Sequence, residues 1–158
     1  DEPIWEWPVV NERPGTGKVD NNFIPFSALK MFGYTVGKTS GWPVAKRRAF
    51  LTDFMEMELP LHVTKIFGNE YGRPLSYERL KKVANVIAYN CSNRFRSDRW
   101  KFRYAIDDWK HDLEFLRERY YEGKNLKFIW PDPESGEVDT AVIERVAGNL
   151  PSEGPSSC

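Results

Sequence analysis

Cysteine and histidine are scarce in this chain, with two of each among 158 residues. Cys91 falls within a helical pattern and Cys158 is the last residue, a spacing that matches neither a zinc site nor a disulfide framework. Cys91 therefore reads as a small buried hydrophobe and Cys158 as a free tail thiol. His62 and His111 lie in different predicted elements with no Cys or acidic ligand at metal spacing, so neither a metal nor a cofactor is expected. A Ser-His-Asp arrangement gathered only by the fold stays open at this point.

Net charge is also missing: 23 Lys and Arg face 23 Asp and Glu. No global field draws the chain to nucleic acid or to an anionic bilayer, and any electrostatic partner must be met locally. Long apolar runs are absent, since no uncharged stretch approaches the ~20 residues that span a bilayer. The acidic, Trp-containing start does not resemble a signal peptide, and a soluble, cytoplasmic chain is expected.

Aromatic residues are abundant. They make up 15% of the chain, within 41% hydrophobic residues, a composition far from that of disordered sequences. At this length one core is expected, in a single domain over residues 1–150 followed by a disordered tail over 151–158.

Residues 1–27 contain Pro3, Pro8, Pro14 and Pro25 with Gly15 and Gly17, which bars a regular helix or a central strand. They predict an extended arm. Its Trp5, Trp7, Phe23, Ile24 and Phe26 are too apolar for a solvated linker, and they are expected to cover the helical body or to meet a partner.

Ser40-Gly41-Trp42-Pro43 predicts a helix start, with Ser40 as cap and Pro43 in the first turn. This helix is expected over about 43–58, with stripes Val44/Leu51/Met55 and Phe50/Phe54/Met57. Turn residues over 68–74 predict a loop, and Ser76 is placed to cap the next helix. Leu80, Val83, Ala84, Ile87, Cys91 and Phe95 then recur every three or four residues, an apolar face for a helix over about 77–95. After a break near Ser97-Asp98, Phe102, Ile106, Trp109, Leu113, Leu116 and Tyr120 continue the rhythm up to Gly123. Two facing stripes joined by a short turn predict an antiparallel helical hairpin. Leu126 to Trp130 is expected to be extended, and 138–147 to form one more short helix. The predicted class is mainly α, a small bundle built on the hairpin and carrying the extended arm.

No catalytic motif stands up to its spacing. Gly33-Tyr34-Thr35-Val36-Gly37-Lys38-Thr39 has three residues between its glycines where a phosphate-binding loop needs four, and Ser40 to Pro43 interrupts the chain before the helix. Gly15-Thr16-Gly17-Lys18 has Glu12 in place of the first glycine and Val19 in place of the Ser or Thr. Asp107, Asp108, Asp112, Glu114 and Glu118 crowd one helix, where paired carboxylates can do acid-base work or bind a hard cation. Interleaved with Lys110, Arg117 and Arg119, they read instead as a solvated face.

Charge is segregated along the chain. Residues 76–105 hold eight basic residues against Glu78 and Asp98, and residues 106–122 hold six acidic against three basic. The basic group includes Arg94, Arg96, Arg99, Lys101 and Arg103, with Trp100 among them, at the predicted turn between the long helices. Such a cluster neutralises phosphates and stacks bases, unless its cations pair with neighbouring carboxylates or lie across aromatic surface.

Gly33-Tyr34-Thr35-Val36-Gly37, the Arg47-Arg48 helix, Arg79-Leu80 to Ala88, and Asp108-Trp109 to Tyr121 resemble, in that order, a small helical domain of unknown function in bacterial proteins. That domain often closes a larger chain. The resemblance spans roughly residues 30–121 and implies a bacterial, cytoplasmic accessory module with no active-site residue to carry over. Three functions follow in order of expectation: a non-catalytic module that binds a protein through Trp5 and Trp7 or a helix face; a nucleic-acid binder using Arg94, Arg96, Arg99, Lys101 and Arg103; and an enzyme whose site only the fold assembles.

Overall fold

The computed structural model describes residues 28–67 and 70–139. The expected arm with Trp5 and Trp7, most of the expected helix over 138–147, and the tail lie outside the described residues. Within them the chain is mainly helical: α1 (Ala28–Met31), α2 (Val44–Glu56), α3 (Leu61–Phe67), α4 (Tyr77–Asp98) and α5 (Arg103–Leu116), the last running on into a π-helical turn, Arg117–Tyr121. Among the described residues there is no strand, only an isolated bridge between Asp132 and Glu137. No helix among them is long and apolar enough to cross a membrane.

The predicted cap of α4 is in place, with the Ser76 hydroxyl accepting the Arg79 N–H at 3.1 Å. The helix is buried well beyond its predicted stripe. Val86, Ala88, Asn90 and Ser92 are buried as fully as Val83 and Ile87, because α4 is covered on more than one side. α5 lies on one flank, where the Cys91 thiol approaches the Ile106 carbonyl at 3.8 Å. The segment after the π turn covers another: Asn85 Oδ1 accepts the Asp139 N–H at 2.8 Å and Phe128 packs on Tyr77.

α2 is shorter than expected, and its start differs. Ser40 is exposed and Pro43 takes the N-cap position in extended conformation, with no side-chain cap. Trp42 instead ties the entry by donating its N–H to the Thr35 carbonyl at 3.0 Å. The preceding loop depends on two glycines. Gly37 has φ +113°, a region costly for any residue with a Cβ, and a Cβ on Gly41 would lie 2.4 Å from the Gly37 carbonyl. Phe50, Leu51, Phe54 and Met55 are buried, whereas Val44 and Met57 of the predicted stripes are exposed. The Phe50 ring stacks with Tyr34 at 5.6 Å and meets Phe32, Trp42 and Phe54 within 6 Å, so the loop before α2 and α2 itself share one aromatic core.

Candidate nucleic-acid interface at the junction of α4 and α5

Two polar constellations emerge from this frame, one closed and one open. In the closed one, Asp112 of α5 is fully buried and accepts the Tyr34 hydroxyl at 2.5 Å and Arg47 Nε at 2.8 Å. Arg47 also donates to the Trp42 carbonyl and lies 3.7 Å from Asp108, which accepts the Gly37 N–H at 3.0 Å. The expected solvated carboxylate face therefore fails at Asp112, which stands three residues from Trp109 and four from Leu116 and so falls on the apolar face. Burial pushes the Asp112 carboxyl above its ordinary range, against Arg47 and Tyr34, which favour its ionised form. Burial, reinforced by Asp112, also holds the Tyr34 phenol well above its usual value. With Arg47 and Asp112 buried, this network clasps the loop and α2 onto α5. The Gly37 amide, which a phosphate loop would turn to its ligand, is used on Asp108.

The open constellation is the junction itself. Asp98 Oδ1 accepts the Lys101 N–H at 3.0 Å and the Asp98 carbonyl accepts the Phe102 N–H, a turn that sets Trp100 at the apex. Trp100 is 71% exposed. Phe95 and Phe102, half-buried against the core, anchor the turn from below. The cations lie over the rings: Arg99 over Phe95, Arg94 and Lys101 over Phe102, and Arg103 over Trp100 at 3.8 Å and Tyr104 at 4.8 Å. Lys38, from the loop before α2, lies over Tyr104 at 5.2 Å and adds a charge that the sequence did not point to. Arg96 turns back along α4 to Ser92 and Asn93. Of the five expected residues, Arg103 thus lies on the Trp100 ring, Arg99 and Lys101 adjoin it in the chain with their side chains over Phe95 and Phe102, Arg94 shares Phe102 with Lys101, and Arg96 stands to one side.

Among the described residues, Arg47, Lys81, Lys82, Lys110, Arg117 and Arg119 each have a carboxylate within ion-pair distance, and Arg96, Arg99, Lys101 and Arg103 have none. Lys38, Lys46, Arg48, Lys65, Arg73, Lys124 and Lys127 likewise have no carboxylate within ion-pair distance among the described residues, so what distinguishes the junction is that Arg99, Lys101 and Arg103 fall within one turn beside the exposed Trp100. α5 also begins there with no acidic residue in its first turn and no side-chain cap, so its positive dipole end adds to the same field.

His111 is exposed on α5 and His62 belongs to α3. No group of three or more His, Cys, Asp or Glu among the described residues is placed to hold a metal ion. Compared with known proteins, the chain matches no family model, no curated protein and no solved structure.

Proposed function

We propose that the chain is a non-catalytic accessory module that binds nucleic acid through the tip of an antiparallel hairpin made by α4 and α5. The observation that carries this reading is the gathering of Arg99, Lys101 and Arg103, without a carboxylate partner among the described residues, in one turn beside an exposed tryptophan on whose ring Arg103 lies. Cations gathered in one turn without a carboxylate partner among the described residues form a local anion site, and releasing counterions from a phosphate chain is what such a site gains from. A guanidinium lying on a ring can still turn N–H donors of its planar fork to phosphate oxygens, and Arg103 commits only its Nη1, to the Trp100 carbonyl. The alternative reading is a protein-binding module that uses Trp5 and Trp7, which lie outside the described residues, or a helix face.

Fluorescence anisotropy of labelled single- and double-stranded oligonucleotides at ~50 and ~200 mM salt tests this reading. Saturable binding that weakens steeply with salt is expected. The triple variant Arg99→Ala/Lys101→Ala/Arg103→Ala is expected to lower the log–log salt slope by about 2, three phosphate contacts at roughly 0.7 each on a single strand. Absence of binding at the lower salt, or a triple variant that binds like the parent chain, overturns the assignment. Loss of binding on replacing Trp5 and Trp7 instead would move the site to the arm.

A further inference from the structure

Resting on that reading, we infer that the nucleic acid is engaged as an unpaired strand, with one base stacked on the open face of Trp100. Phosphate contacts alone would need only the cations, and they do not account for the indole. Trp100 stands at the apex of the turn with 71% of its surface in water, between Arg99 and Lys101. Its orientation is nonetheless set. The Arg103 guanidinium lies 3.8 Å from the ring centroid while its Nη1 donates to the Trp100 carbonyl at 2.8 Å, so one side chain holds both the ring and the backbone beneath it.

The stack continues inward. Arg103 also lies over Tyr104, itself 43% exposed, and Lys38 lies over the same ring. This alternation of cation and ring runs from the loop before α2 to the apex and ends on an indole face. Among the described residues, Arg103 is the group placed over the Trp100 ring, and no other aromatic ring contacts it. A held, exposed aromatic face flanked by cations has the form of a base-stacking platform. A duplex keeps its base faces stacked inside, and a side chain reaches them only by wedging a base step apart; a single strand presents them freely. The geometry therefore selects the unpaired form, ribose or deoxyribose alike.

The test compares a labelled ~12-residue oligothymidylate, the same backbone without bases, and a duplex of equal length, each against the parent chain, Trp100→Ala and Trp100→Phe. An exposed apex residue is replaceable without loss of the fold. Trp100→Ala is expected to weaken the oligothymidylate by about tenfold or more, the usual worth of one stacked base, and Trp100→Phe to restore most of it. The salt slope and the affinity for the baseless backbone and the duplex are expected to stay unchanged. If Trp100→Ala leaves the oligothymidylate unaffected, or weakens the baseless backbone equally, stacking is overturned while the salt-dependent contact of the cations stands. If no probe binds the parent chain at ~50 mM salt, the nucleic-acid reading falls and the stacking inference with it.

Discussion

Asp112→Ala is expected to lower the free energy of unfolding by about 3–5 kcal/mol, the usual cost of removing one partner from a buried ion pair. The cost comes from what is left behind. Arg47 keeps its charge in a site sealed from water, with Asp108 at 3.7 Å and the Trp42 carbonyl as its remaining partners, and the Tyr34 hydroxyl loses its acceptor. Urea unfolding checks this through a lower midpoint at an unchanged slope. Replacing both partners, as in Arg47→Met/Asp112→Leu, is expected to recover much of the loss, because two buried charges then leave together. A loss below about 1 kcal/mol for Asp112→Ala would put it at the level of a surface pair and remove the clasp from the account.

Arg79→Ala is expected to cost about 3–4 kcal/mol. Arg79 is 1% exposed and donates to four backbone carbonyls, those of Phe54, Met57, Tyr71 and Gly72, at 2.7 to 3.2 Å. These oxygens belong to the end of α2 and to the loop before α4, which one fork thus holds together. Two of the four bonds are buried and two partly so. At roughly 1–3 kcal/mol for each buried carbonyl left without a donor, less where water enters, the sum falls in the stated range. Arg79→Lys is expected to lie between, since a single ammonium offers three donors from one point. Thermal melts read the order directly, with a drop on the order of 10 °C for Arg79→Ala. A melt within about 2 °C of the parent chain would show that water satisfies these carbonyls.

What the sequence could and could not show follows from the range of the interactions. The Ser76 cap and the stripes of α4 and α5 were legible because they depend on residues within a turn or two of one another. α3 was missed: seven residues after Leu59-Pro60 are too few to display a period. Ser40 misled as a cap because the entry to α2 is fixed by a bond from Trp42 back to Thr35. Arg47, Arg79 and Asp112 are charged, and charge ordinarily marks solvent. Their partners lie up to 78 residues away, so only the helical register was available as a signal: each stands three or four residues from buried positions of its own helix. At the junction, composition gave Arg94, Arg96, Arg99, Lys101 and Arg103. That four of them lack a carboxylate, and that Lys38 joins them from the loop before α2, depends on the tertiary structure.

Nuclear magnetic resonance mapping tests the central assignment most directly. With an isotope-labelled chain titrated with an unlabelled single-stranded oligonucleotide at ~50 mM salt, shifts are expected in the amides of residues 96–104, in the amide of Lys38 and in the Trp100 indole. Shifts confined to residues 1–27, or none at all, would contradict the placement of a nucleic-acid site at the junction of α4 and α5.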